Sequence, residues 1–167
     1  YKYGKSRESN SANKRNKNPY TALLMSNTLI KKSVFDKVKF NNNITLYGHE
    51  DALFSYNLHA ASIRIKHVDN PIYHTGLEPD KVFINKSKIA VKNLFGLHAL
   101  GLMQPEINKL LKWYVRIKAF YLVPLFSFFY TKFNSKIEKS LSNKNPSLAL
   151  FDFYRLSYLC YLSKMKN

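Results

Sequence analysis

From Lys86 to the end of the chain, apolar side chains return every three or four positions, a periodicity that commits this half of the sequence to helices. Ile89, Val91, Leu94, Leu97 and Leu100 make the first stripe, which Gly101 and Pro105 interrupt. Residues 107–123 are expected as one basic amphipathic helix. Ile107, Leu110, Leu111, Tyr114 and Val115 share a face, and Lys109, Lys112, Arg116 and Lys118 lie largely off it. A last helix follows Pro146, with Ser147 as its cap and Leu148, Phe151, Tyr154, Leu156 and Leu159 along it. The run AFYLVPLFSFFYT, from Ala119 to Thr131, is nearly uncharged, but it is shorter than the ~20 residues a bilayer span requires and Pro124 lies inside it.

Ahead of that zone the signals are mixed. Residues 1–18 are rich in Lys, Arg, Asn and Ser and read as a basic, flexible arm or loop leading to Pro19. The apolar run within residues 20–26 has strand length, and Ser33 is placed to cap a short helix over residues 34–38. Asn41-Asn42-Asn43 opens a loop that Gly48 closes. Residues 50–61 then carry Leu53, Tyr56, Asn57 and Ala60 at helical spacing, with Glu50 and Asp51 in the first turn. Ile63, Ile65 and His67 alternate with Arg64, Lys66 and Val68, the period of a strand, and Asp69-Asn70-Pro71 ends it with a turn.

Composition narrows the class. With 167 residues, 46% of them hydrophobic, the chain can bury one core. Cys160 stands alone, which excludes an internal disulfide and a cysteine zinc site and makes a cytoplasmic, reducing compartment the expectation. The polar, basic start at Tyr1 lacks the apolar core of a secretory signal, so the chain reads as a fragment or as preceded by something else. A net charge of +17 calls for an anionic partner: nucleic acid, lipid headgroups or a phosphorylated small molecule. The basic residues are scattered rather than gathered in a block, which disfavours nucleic acid. Residues 107–167 hold 11 Lys and Arg against Glu138 and Asp152, interleaved with aromatics, a composition suited either to an anionic membrane surface or to a helical appendage that packs on the domain.

Among the ten acids only Glu50 and Asp51 are adjacent. Neighbouring carboxylates at a helix start can divide into one that stays ionised and one that takes a proton from a substrate hydroxyl. They can also do no more than complement the helix dipole, and spacing alone favours that simpler role. His74, just past the predicted strand, is placed to bind a divalent cation and His49, just before the acids, to orient them. A single histidine at a strand end is more often a hydrogen-bonded structural residue, however, and for His49 an exposed loop position is the simpler reading. The chain has no Asp-x-Asp, no glycine-rich phosphate cradle and no Gly-x-Ser-x-Gly elbow.

Ser26-Asn27, then Leu29-Ile30, Phe35, Val38 and Phe40, then Tyr47-Gly48-His49-Glu50-Asp51, then Asn70-Pro71-Ile72-Tyr73-His74 with Gly76-Leu77-Glu78 form an ordered series over about residues 15–100. In that order and spacing the series resembles the C-terminal half of the catalytic domain of family 2 glycosyltransferases, which have the GT-A fold. The resemblance implies an α/β fold: the acceptor side of a mixed sheet with flanking helices over residues 19–100, followed by a helical extension over 101–167. It implies Asp51 as the base that deprotonates the acceptor hydroxyl, and Glu50 as the residue that orients the acceptor or its neighbour Asp51. Asn27 and Ser26 would line the sugar site, with Ser26 standing where the family usually has glycine, and Gly48 and His49 would border it. His74 would complete the coordination of a Mg or Mn ion holding the donor diphosphate. It further implies a nucleotide-sugar donor, a glycan or lipid-linked acceptor, a role in polysaccharide biosynthesis and a peripheral place at the inner face of the cell membrane. The Asp-x-Asp half of such an enzyme is missing from this sequence, so the chain by itself is expected to be inactive.

Overall fold

The period-2 pattern of residues 63–68 predicts a strand, yet no strand forms among the described residues of this computed structural model, which are 2–41, 44, 46–73 and 75–166. Every regular element there is helical, so the expected α/β architecture with a GT-A-like mixed sheet is not what the chain adopts. The reason lies in where the backbone groups of residues 63–68 find their partners. A strand needs another strand to pair its N–H and C=O groups. Here side chains take that place. The Asn16 amide donates to His67 O at 2.9 Å and accepts from His67 N at 2.8 Å, the pair of bonds a ladder would supply. Arg15 donates to Val68 O at 2.9 Å and Tyr20 Oη to Ile63 O at 3.1 Å. The alternation survives as burial: Ile63, Ile65 and His67 are turned inward, and Arg64, Lys66 and Val68 are exposed. The other expected strand, within residues 20–26, is replaced by single 3₁₀ turns at Pro19–Thr21 and Met25–Asn27.

The chain divides into two compact units, Tyr1–Thr45 with His49–Leu77, and Leu46–Gly48 with Glu78–Asn167. The first contains a π-turn at Gly4–Glu8 and helices α1 (Ala12–Asn16), α2 (Lys32–Lys37) and α3 (Glu50–Ala60). Residues 1–18, read from composition as a basic arm, thus include α1, which supplies Asn16 and Arg15 to residues 67 and 68 and whose Ala12 N–H binds Asp69 Oδ1 at 2.8 Å. The core of this unit is Val38, Phe54 and Leu58, surrounded by Tyr20, Met25, Phe40 and Ile65 among others. Phe40 stacks on Phe54 with ring centres 4.5 Å apart. The buried face of α3 is therefore not the Leu53-Tyr56-Asn57-Ala60 stripe of the sequence. It runs through Leu53, Phe54, Ser55 and Leu58, and Ser55 can be buried because its hydroxyl donates to Tyr20 O at 2.7 Å.

The second unit is all-helical among its described residues, as the periodicity from Lys86 onward predicts: α4 (Asp80–Ala99), α5 (Lys109–Ala119), α6 (Val123–Leu141), a helix the stripes do not single out, and α7 (Leu148–Met165). Helix α7 packs against α4, α5 and α6, which is why its apolar residues go all the way round rather than along one stripe. Tyr130 of α6 sits with its ring 4.9 to 5.7 Å from those of Tyr154, Tyr158 and Tyr161 of α7. The Tyr154 hydroxyl donates to Glu138, which Lys88 of α4 also approaches at 3.5 Å. Asn108 caps α5, its Oδ1 accepting from Leu110 N and Leu111 N at 3.0 and 3.1 Å. The single helix expected over residues 107–123 ends early, at Ala119, and α6 starts afresh with Pro124 in its first turn.

Candidate functional site

Asp51 takes its position from the way α3 begins. Gly48 and His49 both adopt left-handed backbone angles, φ 97° and 74°, and His49 O accepts from Leu53 N at 3.0 Å. Glu50 and Asp51 therefore occupy the first helical turn, where unpaired backbone N–H groups favour negative charge.

Asp51 is partly buried, and its Oδ2 accepts the Met25 N–H at 3.1 Å. Met25 opens the turn Met25–Asn27, and the far end of that turn is held by the Asn27 side chain, which donates to Asn70 O at 2.7 Å. Asn70 returns a longer bond, 3.4 Å, from its own amide to Asn27 Oδ1. Thr28 Oγ1 binds Leu24 O at 2.7 Å and braces the same turn. Three segments distant in sequence, 25–27, 50–51 and residue 70, are thus laced together within the first unit. Ser26, exposed between two anchored neighbours, has no left-handed angle, so a serine fits there without strain.

Gly48 has a different setting. It belongs to the second unit, where a Cβ on it would stand 2.7 Å from Ala90 Cβ and 3.2 Å from Ala90 Cα. Asn93 of α4 donates from one amide nitrogen to Leu46 O, at 3.0 Å, and to Gly48 O. Tyr47 lies under the Lys86 ammonium, 5.4 Å from ring centre to nitrogen, and Lys86 in turn pairs with Glu78. That hydrogen bond to the Glu78 carboxylate holds the Lys86 ammonium above its ordinary range. The visible role of Gly48 is close packing.

His74, the expected metal ligand, lies outside the described residues. Among the described residues no three His, Cys, Asp or Glu side chains are grouped to hold a metal ion, so the residues in view do not by themselves fit one. His67, to which the sequence attaches no role, is buried and structural: Pro19 O at 2.9 Å can only accept, so Nε2 carries the proton and Nδ1 accepts from Arg15 at 3.4 Å. Burial pushes the Tyr130 hydroxyl and the Cys160 thiol each up to about 12, and raises Tyr154 and Tyr158 as well. All four are in the second unit.

A carboxylate in a helix first turn, with one lone pair satisfied by a backbone N–H and partial access to solvent, can accept a proton from a hydroxyl. Asn27 and Ser26 offer hydrogen-bonding groups on the turn that Asp51 holds. The tie between Asn27 and Asn70 was not foreseen, although an Asn before a Pro marks a turn whose carbonyl is free of a ladder. Compared with protein-family models, with curated proteins and with solved structures, the chain gives no significant match to any of them, so its functional reading rests on its own residues.

Proposed function

We propose that the first unit is the acceptor-side part of an inverting glycosyltransferase, one that transfers a sugar from a nucleotide-sugar donor to a saccharide or lipid-linked acceptor. The observation that supports this reading is the lacing of Met25–Asn27 to Asp51 and Asn70. These are the segments whose order resembles the acceptor side of family 2 glycosyltransferases. In the reaction the acceptor hydroxyl gives its proton to Asp51 while its oxygen bonds to the anomeric carbon and the bond to the nucleoside diphosphate breaks. Glu50 orients the acceptor, and Asn27 and Ser26 contact the sugar. The donor side, with the Mg or Mn ion that the resemblance implies and His74 as one of its ligands, requires residues beyond those described.

The test is transfer from a panel of labelled nucleotide sugars to glycan acceptors by the gene product that carries this chain, wild type against Asp51→Asn. Asparagine keeps an oxygen for the Met25 N–H, so the fold should stand while transfer falls on the order of 10²- to 10⁴-fold. Undiminished transfer by Asp51→Asn would remove Asp51 from the chemistry. Salt-dependent binding of a labelled oligonucleotide, unchanged by Asp51→Asn and without turnover of any sugar nucleotide, would replace this reading with a non-catalytic basic binding module.

A further inference from the structure

Phe120, Tyr121 and Leu122 form the corner between α5 and α6, and they are 75, 90 and 41% exposed. Trp113, 56% exposed, lies seven residues before Phe120 on the same face of α5, and Leu125 and Phe128 continue the exposed apolar series onto α6. Scattered surface apolar residues are ordinary, but a run of large ones around a single corner marks a contact surface.

The corner is built in a particular way. Leu122 N bonds Ile117 O at 3.0 Å and Tyr121 N bonds Lys118 O at 3.1 Å, with Tyr121 left-handed at φ 59°. This is the helix ending whose left-handed position is usually glycine. A tyrosine here is strained, and its ring is almost wholly in solvent.

Along the chain the charge on either side of the corner has one sign. Between Glu106 and Glu138 there is no acid, while Lys109, Lys112, Arg116, Lys118, Lys132 and Lys136 all fall in that interval. The Arg116 guanidinium stands 5.2 Å from the Trp113 ring. An apolar tip flanked along the chain by cations complements a surface that is apolar within and anionic outside. A second copy of this chain, itself at +17, would set like charge against like.

We propose that the α5–α6 corner is an interfacial anchor for an anionic lipid bilayer. Phe120, Tyr121 and Leu122 enter the boundary between headgroups and acyl chains, Trp113 sits at headgroup level, and the flanking Lys and Arg meet lipid phosphates. No helix among the described residues is long and apolar enough to cross a membrane, so the contact is with one leaflet. The anchor belongs to the second unit and needs nothing from Asp51.

Trp113 is the single tryptophan of the chain and so reports on its own face. The full chain is titrated with vesicles of phosphatidylcholine alone and of phosphatidylcholine with phosphatidylglycerol. Trp113 emission should shift to the blue, and be quenched by brominated acyl chains, only with the anionic vesicles. Phe120→Ser with Tyr121→Gly should lower partitioning on the order of tenfold. Tyr121→Gly alone relieves the left-handed angle, so it should bind less while melting no lower than wild type, which separates lost insertion from lost folding. The anchor is refuted if emission is unchanged at saturating anionic lipid, or if the double variant, still helical by circular dichroism, partitions like wild type. It is equally refuted if the blue shift follows protein concentration without lipid, as a second copy would cause, or follows a single-stranded oligonucleotide and not vesicles.

Discussion

Gly48 carries two constraints that a side chain would violate together: a left-handed φ and contact with Ala90. Gly48→Ala should therefore lose about 2–4 kcal/mol of stability, from the backbone angle plus the overlap, as read by urea denaturation. The sequence marks this glycine as the end of a loop, which is correct, but nothing in its neighbours points to Ala90, forty-two residues later. Asp51 was legible as one of two acids in a helix first turn. Its bond to a backbone N–H was not, because that donor belongs to Met25. Asp51→Ala should lower stability by about 1 kcal/mol through that bond, whereas Asp51→Asn should leave the midpoint of unfolding nearly unchanged. The acids of α3 do favour its N-terminus, as their position predicts, and any chemistry is additional to that.

At the scale of elements, residues 63–68 show how a correct periodicity can name the wrong structure. Alternation states which side chains face inward. It does not say whether the backbone pairs with a strand or with Asn16. Asn16→Ala removes both bonds to His67 and should destabilise the first unit by about 2 kcal/mol, measured as faster amide exchange at His67 before global unfolding. Helices were legible where apolar residues recurred over several turns, as a stripe in α4 and all the way round in α7, and least so at their ends. The break after Ala119 had a signal in Pro124, since proline sits readily in a first turn and disfavours helical geometry just before it. Asn108→Ala, which deletes the cap of α5, should lower the melting point by the equivalent of about 1 kcal/mol.

At the scale of the whole molecule, two features govern how it responds to its medium. The first is the charge of +17, which repels itself in the folded state, so the melting temperature should rise as sodium chloride is added from low ionic strength. The second is the set of acids whose neutral form burial favours. Tyr130 and Cys160 titrate near 12 when folded, against ordinary values of 10.0 and 9.0. Above those ordinary values the unfolded chain releases protons that the folded chain retains, so stability falls as pH rises. The loss begins near pH 9 to 10 and is complete near 12. Urea midpoints at pH 8 and 10.5, with tyrosinate absorbance followed in parallel, test the sign, and Tyr130→Phe should weaken the dependence. Only the first was legible without the fold: the charge was plain from composition, while the tyrosine cluster required α6 and α7 to be packed together.

The clamp of Asn93 and Ala90 on residues 46–48 also bears on how this chain can be cut. Because Leu46–Gly48 belongs with Glu78–Asn167, the polypeptide passes between the two units three times, and no single scissile bond yields both intact. A protease nick or a gene fusion point near residue 77 would leave α4–α7 without the tripeptide that Asn93 holds. Trimming to obtain the helical unit alone would need residues 46–48 restored by a linker, and inheritance of either unit as a separate module would have had to overcome the same interleaving.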